Sequence, residues 1–127
     1  MISTPEPERL YSGLSVLVST AADGERCAAL ASFGALDLLL DPDLLRRVQE
    51  PEATPALAWA GRETFARSLL ELVNTAVELE SLTIHACSAS VETMALDPAD
   101  IEASRLDGVK STPRFLRDTA GARLIFV

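Results

Sequence analysis

Apolar and polar residues along the chain form blocks that predict helices separated by short apolar runs. In residues 5–22 apolar side chains recur three and four positions apart, which predicts an amphipathic helix, although residues 15–20 also suit a strand. Thr4 is the expected N-cap, and Pro5 suits the first helical position. A second apolar stripe over residues 64–79 predicts another long amphipathic helix.

Short apolar runs between these helices predict strands. Residues 82–87 (LTIHAC) indicate a buried strand, and residues 25–33 stand where an earlier strand is expected, although their alanines also suit a helix. We expect a brief strand at residues 109–110. The apolar run ARLIFV at residues 122–127 predicts the last strand, and residues 1–3 resemble the tail of a first one.

The intervening stretches predict shorter helices at residues 35–40, 43–48, 88–95 and 111–119, with Asp97 as the cap of a further turn. Residues 50–61 (EPEATPALAWAG) have irregular composition and the only tryptophan, Trp59. This segment is long enough for a functional flap over a site. The alternative is a simple connector whose Trp59 packs on the core.

Helices that alternate with strands predict an α/β fold in which a parallel sheet is covered on both faces. A chain of 127 residues is long enough for one such domain, over residues 1–127. In parallel sheets the functional crevice lies at the carboxyl ends of the strands. That edge is therefore where we expect a site.

Composition excludes several partner classes. The net charge is −8 with no cluster of Lys and Arg, so we expect neither nucleic acid nor an anionic membrane surface as a partner. No apolar run reaches the roughly 18 residues of a membrane span, and the first residues lack the apolar core of a signal peptide. The two cysteines, Cys27 and Cys87, are too few for a disulfide framework, which favours a reducing cytoplasm with both thiols free; the alternative is a single disulfide between them.

Cys87 is the residue most suited to chemistry. It ends the predicted strand at residues 82–87, and Ser88, Ala89 and Ser90 begin the next helix directly after it. The free N–H groups at a helix start and the helix dipole favour a thiolate over a thiol. The alternative is that Cys87 is a buried structural residue, as free cysteines often are.

Residues at the ends of the two earlier strands are expected to border the same crevice. Ser3 and Thr4 follow the first strand, and Phe33 and Gly34 follow the second. Together with residues 88–90 they form the predicted lining of the Cys87 site.

Other residue types give no second site. Cys27 lies inside a predicted strand and suits packing; it is a resolving thiol only if its Cα comes within about 7 Å of that of Cys87. His85 is two residues from Cys87, roughly 6.5 Å along a strand, which favours a packed core histidine over a catalytic base. No serine lies in the glycine-flanked pattern of a hydrolase elbow. The sequence has no metal site and no glycine-rich phosphate loop, so we expect no metal and no cofactor. A flavin-binding protein is a weaker hypothesis for the same reason.

These segments resemble a known family. The run IHACSASVETMAL at residues 84–96, followed by DPADI, DGV and ARLIFV, is similar to the DsrE/DsrF-like superfamily of small sulfur-handling proteins, as are the PEPER helix and FGALDLLL in the first half. The resemblance implies a flavodoxin-like three-layer sandwich with a mostly parallel sheet of about five strands, assembled as trimers or hexamers. It also implies that Cys87 accepts sulfur as a persulfide and passes it to a partner carrier protein.

Two hypotheses follow. In the first, the protein relays sulfur between a donor and an acceptor protein through the Cys87 thiolate. In the second, it is a non-catalytic α/β module that assembles with itself or binds a small ligand, and Cys87 is part of the core. A thiol that reacts only after unfolding favours the second hypothesis.

Overall fold

The computed structural model describes residues 1–127 and confirms the α/β class, with seven helices and a three-stranded parallel sheet. The helices are α1 (Pro7–Ala22), α2 (Phe33–Leu40), α3 (Leu44–Gln49), α4 (Trp59–Glu78), α5 (Ser88–Thr93), α6 (Pro98–Ala103) and α7 (Thr112–Asp118). The strands are β1 (Cys27–Ala31), β2 (Leu82–Cys87) and β3 (Val109–Lys110).

Helix α1 begins two residues later than its sequence predicts. Glu6 is the N-cap and Pro7 is the first helical residue, where its missing N–H leaves no hydrogen bond unmade. The Thr4 hydroxyl instead accepts a hydrogen bond from the Glu6 N–H at 3.1 Å, so the predicted cap at Thr4 and first residue at Pro5 are wrong. Residues 15–20 are helical, so the strand alternative for them is wrong too.

The sheet has the strand order β1-β2-β3, and every pair is parallel. Cys27 is in register with Leu82, and Cys87 is in register with Lys110. Strand β2 is therefore the central strand, and its last residue, Cys87, lies at the carboxyl edge of the sheet, as predicted.

The sheet has three strands, fewer than the expected five, because its outer members are too short. Ile2 forms a single parallel bridge with Ala31. Residues 122–127 are not a strand, and they pair with residues 1–3 through only a few hydrogen bonds, among them Val127 N–H to the Met1 carbonyl at 2.9 Å. Three residues offer too short a ladder to hold a full strand beside them.

The two faces of the sheet are covered unequally. One face packs against a large core that includes Leu10 of α1 and Leu69 of α4, together with Val91 and Ile101 from the two helices that follow β2. The other face has a buried cluster of only three residues, Leu30, Cys87 and Phe115. Helix α7 alone supplies a buried side chain to that second face.

The start of the long helix α4 differs from its prediction. Helix α4 begins at Trp59 rather than near residue 64, and residues 50–58 form turns. Buried Thr54 anchors these turns, because its hydroxyl donates to the Val48 carbonyl at 3.4 Å. Trp59 is 66% exposed, so the prediction that it packs on the core is wrong.

Candidate functional site

Cys87 lies at the junction of β2 and α5, where it is both the last strand residue and the N-cap of the helix. Its side chain is on the thinly covered face of the sheet and packs with Leu30 and Phe115. The residue is 5% exposed. The thiol therefore lies under α7 rather than in an open crevice, and the segment at residues 50–61 does not cover it.

Polar groups surround the buried sulfur. The Thr112 hydroxyl lies 3.9 Å from Cys87 Sγ, and the Ser90 hydroxyl and the backbone N–H groups of Ser90 and Ala89 lie nearby at the start of α5. Burial is the largest influence and raises the pKa of the Cys87 thiol, but these polar groups together lower the pKa below its ordinary value. The junction therefore stabilises a thiolate, as helix geometry predicts.

Ser90 connects Cys87 to the end of the neighbouring strand. It is fully buried, its hydroxyl accepts a hydrogen bond from the Phe33 N–H at 3.1 Å, and the same hydroxyl lowers the pKa of the Cys87 thiol. Phe33 has φ of +44°, a left-handed conformation that non-glycine residues seldom adopt, and its ring is 50% exposed. The structure thus joins three of the predicted site residues at one edge of the sheet.

The other predicted lining residues support this edge without bonding to the sulfur. Gly34 lies so close to Pro5 that a Cβ at this position would approach it to 2.6 Å, so only glycine fits. Thr4 is buried and bonds to the α1 N-cap, whereas exposed Ser3 donates its N–H to the Val127 carbonyl. Ser88 is the first residue of α5 and is partly exposed.

Sequence reasoning missed three residues that follow or end β3: Lys110, Thr112 and Phe115. Lys110 is in register with Cys87 and forms an ion pair with Asp118 at 3.0 Å. The rule that carboxyl ends of parallel strands share one edge identifies Thr112 once residues 109–110 are taken as a strand. The role of Phe115 depends on how α7 crosses the sheet, which local patterns do not show.

His85 lies on the same face as Cys87 but does not reach the sulfur by any hydrogen bond. It is only partly buried, so it is less enclosed than the core position predicted for it, and its Nδ1 atom is buried without a partner. Burial, with the nearby Lys110 ammonium, lowers the pKa of His85. The ring is therefore neutral near pH 7.

Cys27 cannot serve as a resolving thiol in this arrangement. It is in register with Leu82, five residues before Cys87, which corresponds to roughly 16 Å along the strand. The odd spacing also directs the two thiols to opposite faces, and both are free. Burial raises the pKa of Cys27, and the Glu25 carboxylate raises it further.

A large groove lies away from Cys87. It has a volume of about 1490 Å³ and runs between α1, the first residues of β1 and residues 115–127, so that it borders Cys27. No three His, Cys, Asp or Glu residues lie close enough together to hold a metal ion. None of the helices has the length and apolar character needed to cross a membrane.

No protein-family model matches this chain, and a search of curated proteins finds no match.

Proposed function

We propose that this protein is a sulfur carrier of the DsrE-like type, in which Cys87 receives a sulfur atom from a donor protein and delivers it to an acceptor. The observation that carries the proposal is the thiol at the β2–α5 junction, which contacts the Thr112 hydroxyl and whose pKa is lowered by Thr112 and by the groups of Ser90 and Ala89. A thiolate is the form of cysteine that attacks a persulfide.

The transfer needs no cofactor and no outside oxidant. The Cys87 thiolate attacks the outer sulfur of a donor persulfide, forming a new S–S bond while the donor S–S bond breaks and the donor leaves as a thiolate. An acceptor thiolate then attacks the outer sulfur on Cys87, and Cys87 leaves as a thiolate again. Each step exchanges one S–S bond for another, so there is no net oxidation.

Three features of the site have separate roles in this reaction. Thr112 and Ser90 stabilise the thiolate, both when it attacks and when it leaves. Leu30 and Phe115 exclude water from the bound sulfur. Because Cys87 is 5% exposed, a donor reaches it only when α7 moves aside.

We also propose that the protein acts in a reducing cytoplasm and assembles with copies of itself. A persulfide carrier needs a free thiol, which the reducing compartment maintains, and both thiols of this chain are free. The DsrE-like resemblance implies a trimer or a hexamer. The exposed apolar side chains of residues 124–126 suit an assembling surface.

A mass measurement tests sulfur transfer directly. We expect the variant Cys27→Ser, incubated with a small persulfide donor, to gain the mass of one sulfur atom on Cys87. The matched control is Cys87→Ser, which keeps only the more exposed Cys27 and is expected to gain none. If Cys27→Ser stays at its original mass while a free thiol in solution is loaded, the sulfur-carrier proposal is wrong.

A second candidate function rests on the burial of Cys87. Its packing with Leu30 and Phe115 is also what a purely structural cysteine requires, and the protein would then be a non-catalytic assembly or binding module. Thiol titration distinguishes the two. A Cys87 that reacts in the folded protein supports the carrier, and one that reacts only in denaturant supports the module.

A further inference from the structure

One edge of the sheet ends in unpaired backbone groups. Residues 122–127, called here the outer segment, run parallel to residues 1–3: the Met1 amino group donates to the Ile125 carbonyl at 2.7 Å, and the Ser3 N–H donates to the Val127 carbonyl at 2.7 Å. The backbone groups of Leu124 and Phe126 form no hydrogen bond. Because bonding direction alternates along an extended chain, these groups point outward.

The same edge carries most of the exposed apolar surface. Eight large hydrophobic side chains are exposed in the whole molecule, and five of them lie on or beside the outer segment: Val16, Leu116, Leu124, Ile125 and Phe126. Phe126 is 71% exposed. A natural sheet seldom leaves an apolar edge open in this way, since such an edge pairs readily with another strand.

Both faces of this edge are apolar. Val127 packs over Gly13 of α1, where a Cβ would meet its methyl groups at 3.3 Å, so Ile125 lies on the α1 side as well. Leu124 and Phe126 therefore lie on the opposite side, that of α7. A strand added here contacts apolar residues on each face, so it must itself be apolar on both faces.

We infer that the outer segment is the interface with a second copy of this chain, paired with it as antiparallel strands. A strand that pairs with the outer segment must be apolar on both faces. The outer segment of a second copy meets this requirement, so the segment is self-complementary. In the symmetric register Leu124 of each copy faces Phe126 of the other, and both residues have free backbone donors and acceptors. One two-fold axis through Ile125 relates the copies.

Charge permits this register. Arg123 is the only charged side chain in the outer segment, although the chain as a whole has a net charge of −8. In the symmetric register each Arg123 lies opposite residue 127 of the other copy, so the two guanidinium groups start from positions about 14 Å apart along the strands. That separation exceeds the Debye length of about 8 Å at physiological salt, and their repulsion is screened.

The other sheet edge does not compete for this role. Strand β3 is two residues long, and one of its residues is Lys110. Short strands and lysine are ordinary means by which proteins protect a sheet edge from pairing. A two-fold interface gives a surface to the hexamer named under the proposed function and is incompatible with the trimer. The inference does not depend on the reactivity of Cys87.

Sedimentation of the full chain tests the inference. We expect the wild-type protein to assemble in even multiples of the 13.6 kDa chain. Phe126→Pro removes an outward N–H that has no partner within the molecule, together with the exposed phenyl ring, so this variant should weaken self-association by at least about tenfold. Trp59→Pro is the matched control: it replaces an exposed aromatic residue at a first helical position, where proline is tolerated, and should leave assembly unchanged.

Further measurements make the outcome unambiguous. Circular dichroism checks that each variant is folded, and Phe126→Lys tests the apolar contact without altering the backbone. A wild-type protein that stays monomeric up to about 1 mM, one that forms trimers, or one whose assembly survives both Phe126 variants would overturn the inference. Sulfur loading of Cys87 is measured on the same samples, so failure of the carrier proposal is seen separately from failure of this one.

Discussion

The two cysteines of this protein have opposite environments. Cys27 is in the first position of β1, beside a large open groove, and burial together with the Glu25 carboxylate raises the pKa of its thiol. Cys87 is in the last position of β2, under α7, and the polar groups of Ser90, Thr112 and Ala89 lower the pKa of its thiol. The more accessible thiol is therefore the less acidic one.

The difference shows that position along a parallel strand determines how a cysteine is solvated. At the amino end, Cys27 Sγ faces a backbone carbonyl, that of Glu25 at 3.9 Å, which gives no help to an anion. At the carboxyl end the chain turns into a helix, and the first N–H groups of that helix lower the pKa of the Cys87 thiol. The same residue type thus serves packing at one end of the sheet and anion stabilisation at the other.

Removing the Phe115 side chain should have the largest effect on the difference in accessibility between Cys87 and Cys27. Phe115 is the only buried residue of α7, so Phe115→Ala is expected to cost about 3–5 kcal/mol of unfolding free energy and to loosen the helix over Cys87. Alkylation of Cys87 should become faster, while that of Cys27 should not change. Urea unfolding and alkylation rates followed by mass spectrometry measure the two effects.

The exposed neighbour of Phe115 provides the control for that experiment. Leu116→Ala alters the same helix but removes an exposed side chain, so its cost should stay within about 0.5 kcal/mol. If Phe115→Ala is destabilised while Cys87 alkylation stays slow, α7 is not what limits access to the sulfur.

The pH dependence of stability should differ in sign between the thiols. The pKa of Cys87 is lowered on folding, so its contribution to stability is present above the unfolded pKa and is lost as pH falls through the folded pKa. The pKa of Cys27 is raised, so its contribution is present below the unfolded pKa and is lost as pH rises through the folded pKa.

Denaturant unfolding of Cys87→Ser and Cys27→Ser across the alkaline range measures these contributions by difference from the wild-type protein. The stability lost in Cys87→Ser should grow with rising pH, and that lost in Cys27→Ser should shrink. If the stability losses of both variants change in the same direction as pH rises, the proposed contrast between the two cysteines is wrong.

The smallest expected effect is the change in thiol pKa when one polar or charged neighbour of a cysteine is replaced. Thr112→Val removes one hydroxyl from the Cys87 sulfur, so the thiol pKa should rise toward its ordinary value with a stability change under about 1 kcal/mol. Glu25→Gln is the reciprocal change: it should lower the pKa of Cys27 and leave Cys87 unaltered. Thiolate absorbance against pH in single-cysteine variants measures both, and a shift at the wrong cysteine would show that the sites are coupled.

Local patterns were sufficient to predict the elements that form the Cys87 site. The bounds of β2 and β3 agree with the predicted strands at residues 82–87 and 109–110, because apolar runs bounded by polar turns have few alternatives. The Asp97 cap is also confirmed, since its side chain accepts the Ala99 N–H at 2.9 Å. From these elements the position of Cys87 at the carboxyl edge follows.

Long-range packing explains what the sequence did not predict. The run at residues 122–127 has strand composition, but a strand also needs a partner of sufficient length, and residues 1–3 do not provide one. The coverage of Cys87 by Phe115 depends on the path of α7 across the sheet. No local residue pattern near residues 122–127 or near Cys87 indicates these long-range contacts.

The pairing of residues 1–3 with residues 125–127 has a consequence for the order of folding. The bond from the Met1 amino group to the Ile125 carbonyl joins residues 124 positions apart, and such bonds between the two ends of the chain close the longest loops in the fold. Its entropic cost is repaid only after the intervening helices and strands are in place, so this contact should form in the last step of folding and exchange its amide protons first. This edge of the sheet is thus also the last part of the molecule to fold.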